Sequence, residues 1–210
     1  MPERPRLRPA AAGFAFLAVA GAAACAQLIT PDVSTEAGAL RAGAYRLDPD
    51  HAVLLFKLNH LGFSTFVGRF NDIEASLDFD ESDPAAARLD ARVATASIDV
   101  NNPEFEETLR GPGWFDTERF PEARFVSTEI EITGENTGRV TGDFTLMGET
   151  RPVTLDVTFN GGARNLLTRR YTLGFAASGA FSRSAFGLDN FAPAVGDQVT
   201  LEIHAEFQRQ

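Results

Sequence analysis

A chain of 210 residues with 29 acidic against 19 basic side chains and a formal net charge of −10 fits one domain that buries about two-thirds of its unfolded surface. That balance argues against electrostatic binding to nucleic acid or to an anionic membrane face, both of which need clustered positive charge. The single cysteine, Cys25, excludes a disulfide framework and a thiolate zinc site.

The chain opens with the three regions of a signal peptide over residues 1–26. Arg4, Arg6 and Arg8 form a basic start, Ala10 to Ala20 an apolar run with Phe14, Phe16 and Leu17, and Gly21 to Ala26 a small-residue stretch. Ala24-Cys25-Ala26 before Gln27 has the A-x-A cleavage pattern. A rival reading cleaves before Cys25 and lipidates it, although Ala22 stands where a lipoprotein usually carries Leu. The apolar run is shorter than the roughly 20 residues of a permanent membrane helix. These features predict a periplasmic or secreted protein with no stable membrane insertion. Residues 27–42, with Thr30-Pro31, Ser34-Thr35 and Gly38, have no hydrophobic period and read as a linker.

From Tyr45 the pattern becomes the period-two alternation of β-strands with one apolar face. After a short strand at Tyr45, a second carries Leu54, Phe56, Leu58 and His60 on one parity, with Val53 and Leu55 opposite. Ile73, Ala75, Leu77 and Phe79 mark the next, and Phe70, out of step with them, predicts a bulge near Asn71-Asp72. Residues 88–100 form another long strand whose parity switches after Ser97. Pro103 to Arg110 breaks the alternation. Asn102 is placed to cap, Pro103 suits the first helical position, Glu104, Glu106 and Glu107 favour a helix start, and Gly111-Pro112-Gly113 ends it. Strands resume at 125–132, 138–147, 152–160, 171–181 and 199–207, divided by Gly134-Glu135-Asn136, Gly148-Glu149 and Asn160-Gly161-Gly162. Eight long strands suit an up-and-down antiparallel barrel able to hold one small ligand. A two-sheet sandwich makes the same linear pattern, and strand length favours the barrel.

Several blocks in this order resemble the YceI-like family of exported lipocalin-like proteins. They are Tyr45-x-Leu47-Asp48-x-x-His51, Phe56-x-x-x-His60-Leu61-Gly62, Gly68-x-Phe70, Leu109-Arg110-Gly111, Trp114-Phe115-Asp116, Phe120-Pro121 and Phe125-x-Ser127. The longest runs from Gly142 to Val153 as GDFTLMGETRPV, and Gly174-Phe175 and Ser182-Arg183-Ser184-Ala185-Phe186-Gly187 close the set. Ala52 and Ala185 depart from the family's usual Ser and acidic residue. The resemblance implies an extended eight-stranded antiparallel barrel over residues 43–210 with one short helix and a long internal pocket. It implies binding of a long apolar molecule of isoprenoid, quinone or fatty-acid type, without cofactor or catalysis.

The residues themselves agree with an apolar ligand. There are 18 Phe but only one Trp and two Tyr, a bias toward rings without a polar handle, though such rings also simply fill cores. Candidate ligand contacts are Leu54, Phe56, Leu58, Phe70, Trp114, Phe115, Phe144, Leu146, Phe175 and Phe186, with His60 and Arg183 as polar candidates for a headgroup. His60 equally suits a core histidine with a neighbouring partner, and Arg183 an ion pair with a loop aspartate such as Asp189. His51 reads as part of a turn network with Asp48 and Asp50, and His204 as facing water. The three histidines match no metal signature, Ser64 and Ser184 lie in no nucleophile motif, and Asp116 with Glu118 is an ordinary acidic pair. Two other functions stay open: a lipid-acting barrel enzyme using His60 or Arg183, and a dry-cored adaptor for a membrane redox partner. The loop Gly161 to Arg170, with three arginines, offers a surface for a homodimer.

Overall fold

A computed structural model describes residues 30–210, so the expected signal peptide and the lipoprotein cysteine lie outside the described residues. The alternation from Tyr45 onward becomes ten strands in chain order. They are β1 (Gly43–His60), β2 (Ser64–Phe70), β3 (Ile73–Phe79), β4 (Arg88–Ala94), β5 (Ile98–Asp99), β6 (Glu122–Ile132), β7 (Thr137–Leu146), β8 (Glu149–Arg164), β9 (Tyr171–Ser182) and β10 (Gln198–Arg209). All ladders are antiparallel, and the final pairing of β10 with β1 closes the sheet. Closure removes the exposed edges an open sheet would leave.

Ten labels describe eight barrel strands, because β2 and β5 prolong two of them. Along one edge of β1, Gly43 to Arg46 pair with β3 and Leu54 to His60 pair with β2. Thus β2 and β3 are one long strand broken at Asn71-Asp72, where the bulge was predicted. In the same way β4 and β5 are interrupted by a 3-10 turn at Thr95–Ser97, which accounts for the parity switch there. Thr95 is fully buried and fastens this joint, donating through Oγ1 to the Phe120 carbonyl at 2.7 Å. One expectation is corrected. The short Tyr45 strand is not separate but the start of the 18-residue β1, whose register against β10 shifts between Leu47 and Ala52. Asp48 spans that shift, accepting from the Asp50 amide at 3.2 Å, His51 Nδ1 at 2.9 Å and the Gln208 amide.

The one α-helix among the described residues, α1 (Pro103–Arg110), forms as its caps dictate. Asn102 Oδ1 accepts from the Phe105 amide at 3.2 Å, and Glu106 Oε1 accepts from the Val100 and Asn102 amides at 3.0 and 3.2 Å. Leu109 is buried and Phe105 meets Trp114 edge-on at 6.1 Å. The helix and the loop after it therefore stop one end of the barrel.

At the other end the chain enters. Residues 27–42 were expected to be a linker, but from Ser34 the backbone lies on the barrel. Ser34 and Gly162 exchange two hydrogen bonds of 3.1 and 2.8 Å, taking the edge of β8 that β7 leaves beyond Thr158. A 3-10 turn follows at Ala37–Ala39, and Tyr171 Oη donates to the Ala39 carbonyl at 2.9 Å. Docking through backbone groups and the lone Leu40 leaves no hydrophobic period to read.

Candidate functional site

Inward-facing positions have two different fates along the barrel. Toward α1 they are filled. Phe56 meets Phe66 and Phe70 at 6.4 and 5.6 Å, and Phe70 meets Phe115 at 5.8 Å. Beside them Phe144, Phe181 and Phe186 form a three-ring contact at 5.2 to 5.4 Å. The packing is close enough that any side chain at Gly68 would push the Phe56 ring aside. A Cβ there would stand 2.3 Å from Phe56 Cζ.

Toward the chain entry the interior is hollow. A cavity of about 360 Å³ is walled by Leu54, Phe125, Leu155, Phe159, Phe175 and Ile203 among others. It sits at the lower end of the roughly 300–1,000 Å³ usual for ligand pockets. Space exists because the inward position is alanine on five strands: Ala52, Ala75, Ala91, Ala177 and Ala205. Four of them pair in register, Ala52 opposite Ala205 and Ala75 opposite Ala91. The mouth is framed by Thr35, Ala37 and Leu40 of the entering chain, by Glu81 and Pro84 of the loop after β3, and by the β6–β7 turn around Glu135. A more open outer groove of about 660 Å³ follows the seam where β4 and β6 part. It shares Leu77, Ala87, Leu89 and Ile130 with the cavity, but Ser76, Asp78, Asp90 and Glu129 make it polar.

Of the twelve predicted contacts, Leu54, Phe144 and Phe175 line this cavity. Phe144 is its floor, since the same ring closes on Phe181 and Phe186. The remaining apolar candidates, Phe56, Leu58, Phe70, Trp114, Phe115, Leu146 and Phe186, belong to the packed end. His60 has the inner parity but is exposed, 6.3 Å from the Phe66 ring. The strand has run past the barrel rim by that point, so parity no longer means inside.

Arg183 is a second correction. It is 4% exposed and faces neither cavity nor solvent. Its Nε donates to the Gly196 carbonyl at 2.9 Å, its Nη2 to those of Asn190 and Val195 at 2.9 Å, and its Nη1 to that of Leu188. Nor does it pair with Asp189. Asp197 fixes the flanking serines, accepting from Ser182 Oγ and from the Ser184 amide at 2.9 Å, and these bonds hold its carboxyl below the usual range. The Ser-Arg-Ser block is a clasp for the loop from Leu188 to Gly196.

Sequence reasoning missed most of the wall: Leu77, Phe79, Leu89, Phe125, Leu155, Val157, Phe159 and Ile203. The signal present but unread was alanine recurring at inward positions of neighbouring strands.

The comparisons with known proteins agree with this architecture. Residues 45–207 match the YceI-like domain family. A UPF0312 protein of Pseudomonas savastanoi pv. phaseolicola is 34% identical over 174 residues, covering 82% of this chain and 88% of that one. The crystal structure of Burkholderia cenocepacia BcnA superposes with a TM-score of 0.69 at 25% identity, covering 76% of this chain and 98% of BcnA. A polyisoprenoid binding domain from Saccharophagus degradans, 12% identical, shares the fold with a TM-score of 0.57 over 81% of this chain and all of that domain. The chain belongs to the YceI-like family.

Proposed function

We propose that the protein binds a long apolar lipid of isoprenoid type, a polyprenyl or quinone chain, in the mouth half of its barrel, and carries or sequesters it in the periplasm after export. One observation supports this most directly: an apolar cavity of about 360 Å³ whose mouth opens among Thr35, Glu81 and Glu135. Each buried CH₂ contributes about 0.8 kcal/mol, so a few isoprene units offset much of the roughly 4–15 kcal/mol of association entropy. A longer chain continues out through the mouth. The name of the Saccharophagus degradans domain is consistent with this ligand class.

A binding role is favoured over a lipid-acting enzyme by the composition of the wall. His60 and Arg183, the residues such an enzyme would use, lie away from the cavity. The hollow interior weighs against the dry-cored adaptor. Native mass spectrometry of the purified protein, with lipid extraction, tests the reading. A bound prenyl or quinone mass is expected, and recovery of empty protein alone after incubation with quinones, polyprenols and fatty acids sinks it. N-terminal sequencing of periplasmic material tests export, with Gln27 expected as the first residue and lipidated Cys25 as the competing outcome.

A further inference from the structure

The loop after β3 carries one carboxylate that the fold itself does not explain. Glu81 lines the cavity mouth beside Leu40, Pro84 and Ala87. Its Oε2 is shielded from solvent yet accepts no hydrogen bond among the described residues. A buried acceptor without a donor is destabilising, more so when it carries charge, and its presence in a native site calls for a partner that binds there.

The nearby donors are engaged elsewhere. Tyr45 Oη donates to the Arg41 carbonyl and Tyr171 Oη to the Ala39 carbonyl. Of the neighbouring cations, Arg41 lies over the Tyr171 ring at 5.0 Å and Arg209 stands beside Gly43, and neither forms an ion pair with Glu81 among the described residues. Charge at Glu81 is felt here: the Tyr45 hydroxyl is pushed up to about 12, chiefly by burial, with Tyr171 and Glu81 adding to the rise. Two basic side chains contribute to the wall, but both turn outward. Arg124 is bound by Asp90 at 2.5 and 3.0 Å, and His204 lies 3.2 Å from Glu202. The polar groups left at the mouth are Thr35, Glu81, Glu135, Asn136 and Thr137. Of these, the Glu81 and Glu135 carboxylates only accept hydrogen bonds when ionised, and they repel anions.

We propose that Glu81 reads the polar end of the lipid, accepting a hydrogen bond from a hydroxyl or amide N–H. Of the ligands proposed above, this selects a neutral, donor-bearing head such as a polyprenol or a reduced quinol, and sets aside the oxidised quinone and any carboxylate or phosphate of the same chain. This deepens the lipid-binding reading above and rests on it. The loop holds its shape without help from Glu81. Asp80 Oδ1 fixes the turn, accepting from the Ser82 amide and hydroxyl at 2.9 and 2.6 Å.

Farnesol, farnesoic acid and farnesyl phosphate share one chain and differ at the head, so their affinities isolate the mouth. At pH 7.5 the wild type is expected to bind farnesol about ten-fold or more tightly than either anion. Glu81→Gln, which keeps shape and removes charge, should bring the three within about three-fold, and Glu81→Lys should reverse the order. Equal wild-type affinity for alcohol and anions overturns the proposal, as does a preference that survives Glu81→Gln. Capture of none of the three overturns it too. The wider lipid reading is judged separately by the native mass spectrometry above, where any bound isoprenoid supports it whatever its headgroup.

Discussion

The two ends of the barrel interior are built on one strand parity and reach opposite results. At the α1 end, inward positions carry Phe56, Phe144 and Phe181, and the plug adds Trp114 and Phe115, so rings touch rings and little space is left. At the entry end, five of the same eight strands present Ala52, Ala75, Ala91, Ala177 and Ala205 inward, and a cavity of about 360 Å³ results. Eight strands give a barrel whose interior is either just filled by side chains or just able to hold a ligand. Which of the two occurs is decided locally, by side-chain volume at each level. The packed end anchors the fold and the alanine belt makes the room.

Truncations should feel this difference most. Phe186 is 2% exposed and closes on two rings, so Phe186→Ala is expected to cost about 3–5 kcal/mol. Leu54→Ala, on the wall of a space that already exists, should fall at or below the low end of the 2–5 kcal/mol seen for buried Leu→Ala, because fewer atoms lose contacts. Urea denaturation at constant slope measures both. Equal losses would mean that the cavity is not a standing feature of the protein in solution.

Enlargements should keep that ranking in stability and put the loss of binding at the cavity end. Gly68→Ala places a methyl 2.3 Å from Phe56 Cζ, and overpacking of this kind costs about 1–3 kcal/mol. Ala205→Phe, facing the cavity, should leave stability within about 1 kcal/mol and abolish lipid capture. Retained capture in Ala205→Phe, read by native mass spectrometry, would place the ligand elsewhere.

Sequence reasoning went further with the fold than with the site, for a physical reason. Alternation reports which face of a strand is apolar, and Asn102 and Pro103 report a helix start, because both signals are local. Even the breaks at Asn71-Asp72 and after Ser97 were legible as shifts of parity. Depth along the barrel axis is not local. It depends on register between strands far apart in sequence and on where α1 enters. Phe56 and Phe175 look alike in their strands, yet one is packed under Phe66 and the other lines the cavity. Arg183, between two phenylalanines at a strand end, has the pattern of a mouth residue, but that end is the closed one.

A smaller effect separates the ends again. His60 lies beyond the rim and outside the cavity. His60→Ala is expected to leave lipid affinity unchanged within about two-fold and stability within about 0.5 kcal/mol. A ten-fold loss of affinity with the fold intact would return His60 to the site and make the α1 end an entrance.

The smallest expected effect concerns how the packed end is held from outside, and it is visible through pH. Asp99 on β5 accepts from Arg69 at 2.8 Å, Asn71 at 3.1 Å and the Asn101 amide at 3.0 Å, tying the β2–β5 extension across the first bulge. These bonds, the Asn71 side chain first, lower its pKa from 3.8 to about 2. Because the folded value lies below the unfolded one, Asp99 stabilises the fold fully above the unfolded pKa. That contribution is lost as pH falls through the folded value. The stability gap between wild type and Asp99→Asn should therefore be constant from neutral pH down to about 5, and close between about 4 and 2. The group is partly open to solvent, so the gap should also shrink in high salt. A gap that stays open at pH 2 would show that shape rather than charge holds this edge, leaving the aromatic packing beneath it to anchor the closed end alone.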